Sequence, residues 1–187
     1  YRNAGTIEFL VDGRGDHAGF YFLEMNTRLQ VEHAVTEAVV GVDLVHAQLR
    51  VAAGAPLPWT AGSLVPRGHA IEARVYAEDP SVGFLPQAGP LLLYREPRAP
   101  GVRVDSGVVE GSDVSIHYDP LLSQVIAHAE TRDQAIARLI AALRDYPILG
   151  VTTNIPFLIR VLEHERFRAG DIDTGFLERE AASLADR

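Results

Sequence analysis

The sequence predicts an α+β fold, in which antiparallel strands are followed by helices. Two β-rich runs, at residues 6–11 and 20–25, flank a polar segment with glycines, which is the pattern of a hairpin. Short alternating runs punctuated by glycine and proline fill residues 68–130 and predict an antiparallel sheet or barrel. A capping-box sequence at residues 131–134 then opens a run with helical spacing, so both kinds of element are present.

Apolar spacing and breakers place the remaining elements. Apolar residues recur at helical spacing from Val35 to Leu49, which predicts one helix that ends before Gly54. The stretch from Pro56 to Pro66 is rich in proline and predicts a linker, so domains are expected at residues 1–63 and 64–187. In the second domain, strands are predicted at 70–76, 91–94, 102–105 and 124–128, and helices from 132, near 154 and after 174.

Composition excludes several classes of protein. The net charge of −8, without a basic stripe, argues against a nucleic-acid partner, and no apolar run is long enough to predict a membrane span. The absence of cysteine excludes disulfides and fits a reducing compartment. All 17 basic residues are arginine, which indicates a GC-rich genome, so a bacterial, cytoplasmic protein is expected. The chain opens at Tyr1 within a strand-like pattern, so a fragment is expected.

A polar row follows the second strand of the predicted hairpin. In an extended chain, alternate residues lie on one face, and from 24 to 32 that face carries strongly polar side chains: Glu24, Asn26, Arg28, Gln30 and Glu32. A hairpin centred near Asp16 places Glu8 opposite Glu24. Two facing carboxylates repel each other, whereas a divalent cation such as Mg²⁺ or Mn²⁺ would stabilise them. The alternative is a solvated sheet face without chemistry.

The same segments resemble a known family. Gly5-Thr6-Ile7-Glu8-Phe9 and the run from Phe22 to His33 closely resemble the metal and bicarbonate segment of biotin carboxylases, members of the ATP-grasp superfamily. The second motif also occurs loosely in carbamoyl phosphate synthases. Five later segments are similar to the biotin carboxylase C-terminal domain: 67–74, 77–80, 84–86, 117–120 and 150–154. The resemblance implies the tail of an ATP-grasp domain, a hairpin plus helix, followed by that C-terminal domain.

The resemblance also implies roles for single residues. Glu8 and Glu24, assisted by Asn26, would ligate Mg²⁺ or Mn²⁺ and through it bind ATP. Arg28 would hold bicarbonate, because a guanidinium fork matches a planar oxyanion.

Four further residues complete the implied site. Gln30 and the Val31 backbone would add hydrogen bonds to bicarbonate, and Glu32 would be the general base that deprotonates it. Arg74 would stabilise the enolate-like oxygen of deprotonated biotin. From the residues alone, a simple ion pair between Arg74 and Glu72 is the favoured alternative.

The activity implied is ATP-dependent carboxylation of biotin by bicarbonate, through carboxyphosphate. The substrate would be biotin on a carboxyl carrier domain. The implied partners are that carrier domain, a carboxyltransferase component and, in the full-length protein, a second copy in a homodimer. The proteins concerned are acyl-CoA and pyruvate carboxylases. Two other hypotheses stay open: another bicarbonate-activating ATP-grasp ligase, and a non-catalytic assembly module.

Two departures from the family bear on these expectations. Biotin carboxylases usually carry a lysine where this chain has Gln124, so an interaction of that lysine is expected to be weaker here. The family's N-terminal domain, glycine-rich phosphate loop and ATP-binding lysines are absent from the sequence. The chain would therefore hold half an active site, and alone it is predicted to be inactive.

Overall fold

Two units make up the computed structural model, residues 1–67 and residues 68–187. The structure describes residues 1–12, 19–60 and 62–184. The α+β class predicted from the sequence is confirmed, since helices and antiparallel strands occur together. Within the described part of the chain, no helix combines the length and apolarity needed to cross a membrane.

The first unit consists of a hairpin and two helices. Strands β1 (Thr6–Asp12) and β2 (Gly19–Asn26) pair antiparallel. They are followed by α1 (His33–Val40) and α2 (Leu44–Ala52). The segment 13–18, in which the hairpin centre was predicted, lies outside the described residues.

The prediction of one helix up to residue 49 is wrong, because the chain turns between α1 and α2. Gly41 ends α1 in the left-handed region, at φ 71°, which glycine adopts without steric cost. Asp43 then caps α2 by accepting a hydrogen bond from the His46 N–H at 2.7 Å. The buried carboxylate of Glu37 accepts the Leu44 N–H at 2.6 Å and joins the two helices.

The second unit contains most of the strands, which are short except for three. The three long strands form a sheet. In chain order the elements are β3 (His69–Tyr76), β4 (Glu78–Asp79), a 3₁₀ turn (Pro80–Val82), β5 (Leu85–Pro86), β6 (Gly89–Pro90), β7 (Leu93–Tyr94), β8 (Val102–Ser106), β9 (Asp113–Val114), β10 (Leu121–Ala129), α3 (Arg132–Arg144), β11 (Ile148–Leu149), α4 (Ile155–Glu163), α5 (Glu165–Ala169), α6 (Phe176–Arg179) and α7 (Ala181–Leu184).

The three-stranded sheet has the order β3-β10-β8, with antiparallel neighbours. The other strands form two-stranded pairs, so the described strands make a sheet and close no barrel. Helix α3 packs on this sheet, and its predicted apolar face is buried, as shown by Ile136, Leu139, Ile140 and Leu143. The predicted cap is also confirmed, since Thr131 accepts the Gln134 N–H at 3.3 Å.

A chain of hydroxyl groups crosses the core of this unit. Tyr146 donates to the Tyr94 hydroxyl at 2.5 Å, and each tyrosine oxygen also lies 2.8 Å from a serine oxygen, of Ser123 and Ser106 respectively. Burial raises the pKa of Tyr146 above its ordinary value. The Tyr146 hydroxyl therefore stays neutral, and the four hydroxyl groups satisfy one another's hydrogen bonds.

Candidate functional site

Two carboxylates face each other across the hairpin. Glu8 of β1 and Glu24 of β2 are direct cross-strand partners, so their side chains lie on one face. The register predicted from the sequence is confirmed at this position. A slip of one residue would have sent one of the two carboxylates to the opposite face.

An amide joins the two carboxylates. The Nδ2 of Asn26 donates to Oε1 of Glu8 at 2.6 Å and lies 3.4 Å from Oε1 of Glu24. This donor offsets part of the repulsion between the two anions. A half-turn of the Asn26 amide about its terminal torsion would present its carbonyl oxygen to the same space.

The oxygen atoms of this cluster suit a hard divalent cation. Mg²⁺ and Mn²⁺ prefer carboxylate and carbonyl oxygens, and Mg²⁺ is commonly held by one or two carboxylates plus substrate phosphates. No cluster of three or more acidic, histidine or cysteine side chains that could enclose a metal occurs among residues 1–12, 19–60 and 62–184. The residues present therefore fit an ion shared with a phosphate ligand better than one enclosed by the protein alone.

The polar row does not continue as a strand beyond Asn26, so the extended segment predicted up to residue 32 is wrong. Residues 27–30 have no strand structure, and Val31 and Glu32 form a turn that leads into α1. Glu32 is the N-terminal cap residue of α1, at φ −76° and ψ 9°. Hydrogen-bonding needs at the start of a helix favour a turn here over an extended chain.

The residues expected to bind bicarbonate lie in this connection. Arg28 is exposed, and its Nη1 is 3.4 Å from the Leu29 carbonyl oxygen. The Gln30 carbonyl oxygen accepts the His33 N–H at 3.2 Å and lies 3.0 Å from the His33 Nδ1. The Gln30 side chain is half-buried and hydrogen-bonds to no other described residue. The backbone is thus fixed, while two polar side chains stay available to an anion.

Arg74 lies on β3 in the second unit, where the predicted alternation is confirmed. Ile71, Ala73 and Val75 are buried, and the residues between them are less buried as whole residues. The Arg74 Nε is 3.8 Å from the Glu72 Oε1, which is the distance of an ion pair and longer than a hydrogen bond. The ion-pair alternative is therefore present, and 41% of the Arg74 side chain is still exposed to a ligand.

A pocket of about 310 Å³ borders this face of β3. Its lining includes Glu72, Arg74, Tyr76, Glu78, Asn154 and Phe157. Burial, reinforced by the nearby charge of Asp119, raises the pKa of Glu78. The pocket thus places the Arg74 cation in partly desolvated surroundings, where its field acts more strongly than in water.

Gln124, where the resemblance predicts a lysine, lies directly across from Arg74 on β10. Its Oε1 is buried and has no hydrogen-bond partner among the described residues. On its other side Gln124 pairs with Asp105, which is bound at two points by Arg103, at 2.8 and 2.6 Å. Arg103 thus supplies a cation to Asp105, and Gln124 places a neutral amide beside Arg74.

From the sequence, Asn154 was predicted to lie at the start of a helix and at the end of the segment 150–154, and no role of its own was assigned to it. In the structure its side chain hydrogen-bonds to the backbone of β3 at the Arg74 carbonyl oxygen and the Tyr76 N–H, on either side of Val75. Its position in the sequence before a proline-containing helical run indicated an N-cap. No sequence pattern indicated that the amide would turn towards a strand far away in the chain.

Two family models match the chain. The model of the biotin carboxylase C-terminal domain matches residues 72–179, and that of the ATP-binding domain of the carbamoyl-phosphate synthase L chain matches residues 1–60. The first match covers more than half of the chain, which belongs to the family defined by the biotin carboxylase C-terminal domain. The resemblance to biotin carboxylases inferred from the motifs is confirmed.

Two curated relatives and one solved structure illustrate this likeness. The propionyl-CoA carboxylase alpha chain of Caenorhabditis elegans is 52% identical over 179 residues, which cover 95% of this chain and 24% of the relative. The methylcrotonoyl-CoA carboxylase subunit alpha of Arabidopsis thaliana is 47% identical over 185 residues, which cover 98% and 25%. The chain therefore spans about a quarter of the length of these relatives.

The solved structure is a dimer of the biotin carboxylase domain of the Hydrogenobacter thermophilus 2-oxoglutarate carboxylase, in complex with MgADP, ADP and bicarbonate. It is 39% identical, has a TM-score of 0.93 and covers 100% of this chain and 41% of its own. This agreement over the whole chain confirms the fold predicted from the resemblance.

The relatives correct one expectation. Both curated relatives are named as mitochondrial proteins, one of an animal and one of a plant. The inference of a bacterial, cytoplasmic protein is therefore wrong. It rested on arginine usage and on the absence of cysteine, and both are properties of composition that proteins of different compartments share.

Proposed function

We propose that this chain is part of a biotin carboxylase that uses ATP and bicarbonate to carboxylate biotin, as a component of an acyl-CoA carboxylase. Residues 1–63 would be the C-terminal part of the ATP-grasp domain, and residues 64–187 the biotin carboxylase C-terminal domain. The observation that carries the proposal is the registered pair Glu8 and Glu24 with Asn26 in contact with both. An uncompensated pair of facing carboxylates has little structural use.

Glu8, Glu24 and the Asn26 carbonyl would hold the divalent cation. When bound, Mg²⁺ or Mn²⁺ supplies positive charge that offsets the charge of the ATP phosphates. The hairpin contributes rigidity, because both glutamates are on paired strands whose register leaves their carboxylates side by side. ATP would thus contact this part of the site through its cation.

Arg28, Gln30 and Val31 would bind bicarbonate beside that cation. The guanidinium of Arg28 can hold the planar anion at two oxygens, and the Gln30 amide and Val31 N–H add donors. Glu32 would accept the bicarbonate proton as general base. Its place at the start of α1 fixes its backbone through the hydrogen bond from the Val35 N–H to the Glu32 carbonyl, at 3.1 Å.

Arg74 would stabilise the negative oxygen that develops on the ureido group of biotin. The charge arises only as the proton leaves the ureido nitrogen, so an arginine at that point lowers the barrier more than it tightens ground-state binding. The half-exposed guanidinium at the pocket fits this role. Glu72 would orient it through their ion pair.

The partners of the whole protein follow from the same proposal. Biotin would arrive on a carboxyl carrier domain, and a carboxyltransferase component would take the carboxyl group onward. A homodimer of the intact protein is proposed, and the dimer named for the Hydrogenobacter thermophilus domain supports it. The chain alone would be inactive, because it carries only part of the site.

The match of residues 1–60 to a carbamoyl-phosphate synthase domain supports a second candidate, another ligase that activates bicarbonate. Such an enzyme would depend on ammonia or glutamine and would not respond to free biotin. The match of residues 72–179 favours the first candidate.

One experiment separates the candidates. In the intact protein, bicarbonate-dependent ATP hydrolysis is measured with and without free biotin for wild type, Glu32→Gln and Arg74→Ala. We expect Glu32→Gln to slow hydrolysis in both conditions by about 100-fold, and Arg74→Ala to remove the stimulation by biotin. A wild-type protein that does not respond to biotin refutes the proposal, and a response to ammonia would support the second candidate.

A further inference from the structure

We propose that Asn154 is a positioning residue for Arg74, acting through the backbone of β3. This inference rests on the proposed role of Arg74 towards biotin. It assigns to Asn154 the task of fixing the strand at the point from which the guanidinium extends.

Three hydrogen bonds join Asn154 to β3. Its Nδ2 donates to the Arg74 carbonyl oxygen at 3.1 Å, and its Oδ1 accepts the Tyr76 N–H at 2.9 Å. Its own N–H donates to the Tyr76 carbonyl oxygen at 3.2 Å. Among the described strands, β3 pairs only with β10. Asn154 therefore satisfies backbone N–H and C=O groups on the edge of β3 away from β10, as a neighbouring strand would.

The side chain of Asn154 does not cap the helix that Asn154 begins. Asn154 is the N-cap residue of α4, at φ −78° and ψ 4°, yet its side chain makes no hydrogen bond to that helix. Thr131 and Asp43, the corresponding residues of α3 and α2, do cap their helices. Pro156 in the first turn of α4 has no N–H to satisfy, which reduces the need for a cap. The amide is thereby available to β3.

Burial makes these contacts costly to lose. Asn154 is 6% exposed, so its removal leaves the Arg74 carbonyl and the Tyr76 N–H without a partner and sheltered from water. Asn154 also lines the same pocket as Arg74. A small shift of the β3 backbone there would displace the guanidinium, which lies several bonds further out.

A second contact fixes the start of α4. Phe157, one turn after Asn154, packs edge-to-face on Phe84 with ring centroids 4.9 Å apart. Phe84 has φ 61°, in the left-handed region, where a bulky side chain is strained. Such a conformation persists only where the surroundings hold it in place. The start of α4 is thus held by Phe84 and in turn holds β3.

The test compares Asn154→Asp with Thr131→Ala in the intact carboxylase. Aspartate keeps an oxygen for the Tyr76 N–H but cannot donate to the Arg74 carbonyl. Thr131→Ala removes the cap of α3, which lies outside the pocket lining, and serves as the control for general destabilisation. We expect Asn154→Asp to lower the ratio of biotin-stimulated to unstimulated ATP hydrolysis about tenfold, through kcat and with the KM for ATP little changed.

Amide hydrogen exchange of the peptide that contains Tyr76 checks the contact itself. Exchange should accelerate in Asn154→Ala and stay slow in Asn154→Asp and in Thr131→Ala. If wild type responds to biotin and Asn154→Asp responds equally, or if exchange at Tyr76 is unaffected by Asn154→Ala, the inference is overturned and the proposed function stands. A wild type without any biotin response overturns both.

Discussion

The hairpin of the first unit and the three-stranded sheet of the second both consist of antiparallel strands with many apolar residues, but they differ in burial. Leu10 and Leu23 of the hairpin are 59% and 58% exposed, whereas Val75 and Val125 of the sheet are fully buried. The sheet has α3 packed on one face, and its apolar residues meet those of the helix. Strand alternation therefore specifies which residues share a face, and only a covering layer decides whether that face is a core.

This difference in burial predicts that substitutions in the second unit lower the free energy of unfolding more than substitutions in the hairpin. Leu139→Ala empties a fully buried site on α3 and should lower the free energy of unfolding by about 3 kcal/mol. Leu10→Ala, on an exposed part of β1, should cost no more than about 0.5 kcal/mol. Urea unfolding followed by circular dichroism measures both. Equal losses would show that the two sheets are supported to the same extent.

A second prediction concerns Gln124, which lies beside Arg74 on the sheet. Its buried, unpartnered Oε1 costs free energy in the folded state, so Gln124→Met should raise the free energy of unfolding by about 1 kcal/mol. Gln134→Met, on the exposed side of α3, is the control and should change little. A loss of stability in Gln124→Met would mean that the amide is engaged in the folded protein.

The acidic pair of the hairpin should respond to cations. Without a divalent ion, Glu24→Gln relieves cross-strand repulsion and should be stabilising by about 0.5 kcal/mol. With Mn²⁺ the order should reverse, since wild type gains a bound ion and the variant does not. Thermal melts with and without MnCl₂ measure this, with Asp12→Asn, at the other end of β1, as control. No effect of Mn²⁺ on wild type would contradict this prediction and show that the pair binds no cation in the absence of a phosphate ligand.

The smallest effect concerns Glu78. Burial and Asp119 raise its pKa in the folded protein, so the folded state keeps this proton to higher pH than the unfolded chain. The contribution of Glu78 to the free energy of unfolding is therefore fully present at pH values below the ordinary pKa of glutamate. It is lost as the pH rises through the raised pKa. Glu78→Gln should be more stable than wild type at pH 7 and equal to it at low pH. Urea unfolding at both pH values measures the free energies of unfolding, with Glu130→Gln as the control. A Glu78→Gln variant that is less stable than wild type at pH 7 would contradict the prediction.

Local signals predicted much of this fold. The Thr131 cap, the apolar face of α3 and the alternation of β3 were all correct, because each depends on residues near one another in the chain. The same holds for the pairing of Glu8 with Glu24, which follows from the hairpin. These features are governed by hydrogen bonds and side-chain directions of short range.

Errors arose where a local pattern competed with a backbone requirement. Valine spacing continued through Gly41, but the left-handed turn there divides one predicted helix into two. The polar alternation continued to Glu32, but the start of α1 imposed a turn. The contact from Asn154 to Arg74 spans 80 residues, and no periodicity in one sequence encodes a contact of that range.

The hairpin contains an irregularity with a consequence for its design. Glu8 pairs with Glu24, but Phe9 pairs with Phe22, so Leu23 is an additional residue of β2. Beyond it the rings of Phe9 and Phe22 pack edge-to-face, with centroids 6.5 Å apart. The pairs on the two sides of Leu23 therefore differ in register by one residue. Leu23 accommodates this difference as the extra residue of a β-bulge. Deletion of this single residue would place both pairs in one regular register, in which Glu8 and Phe9 keep their partners and the bulge is lost.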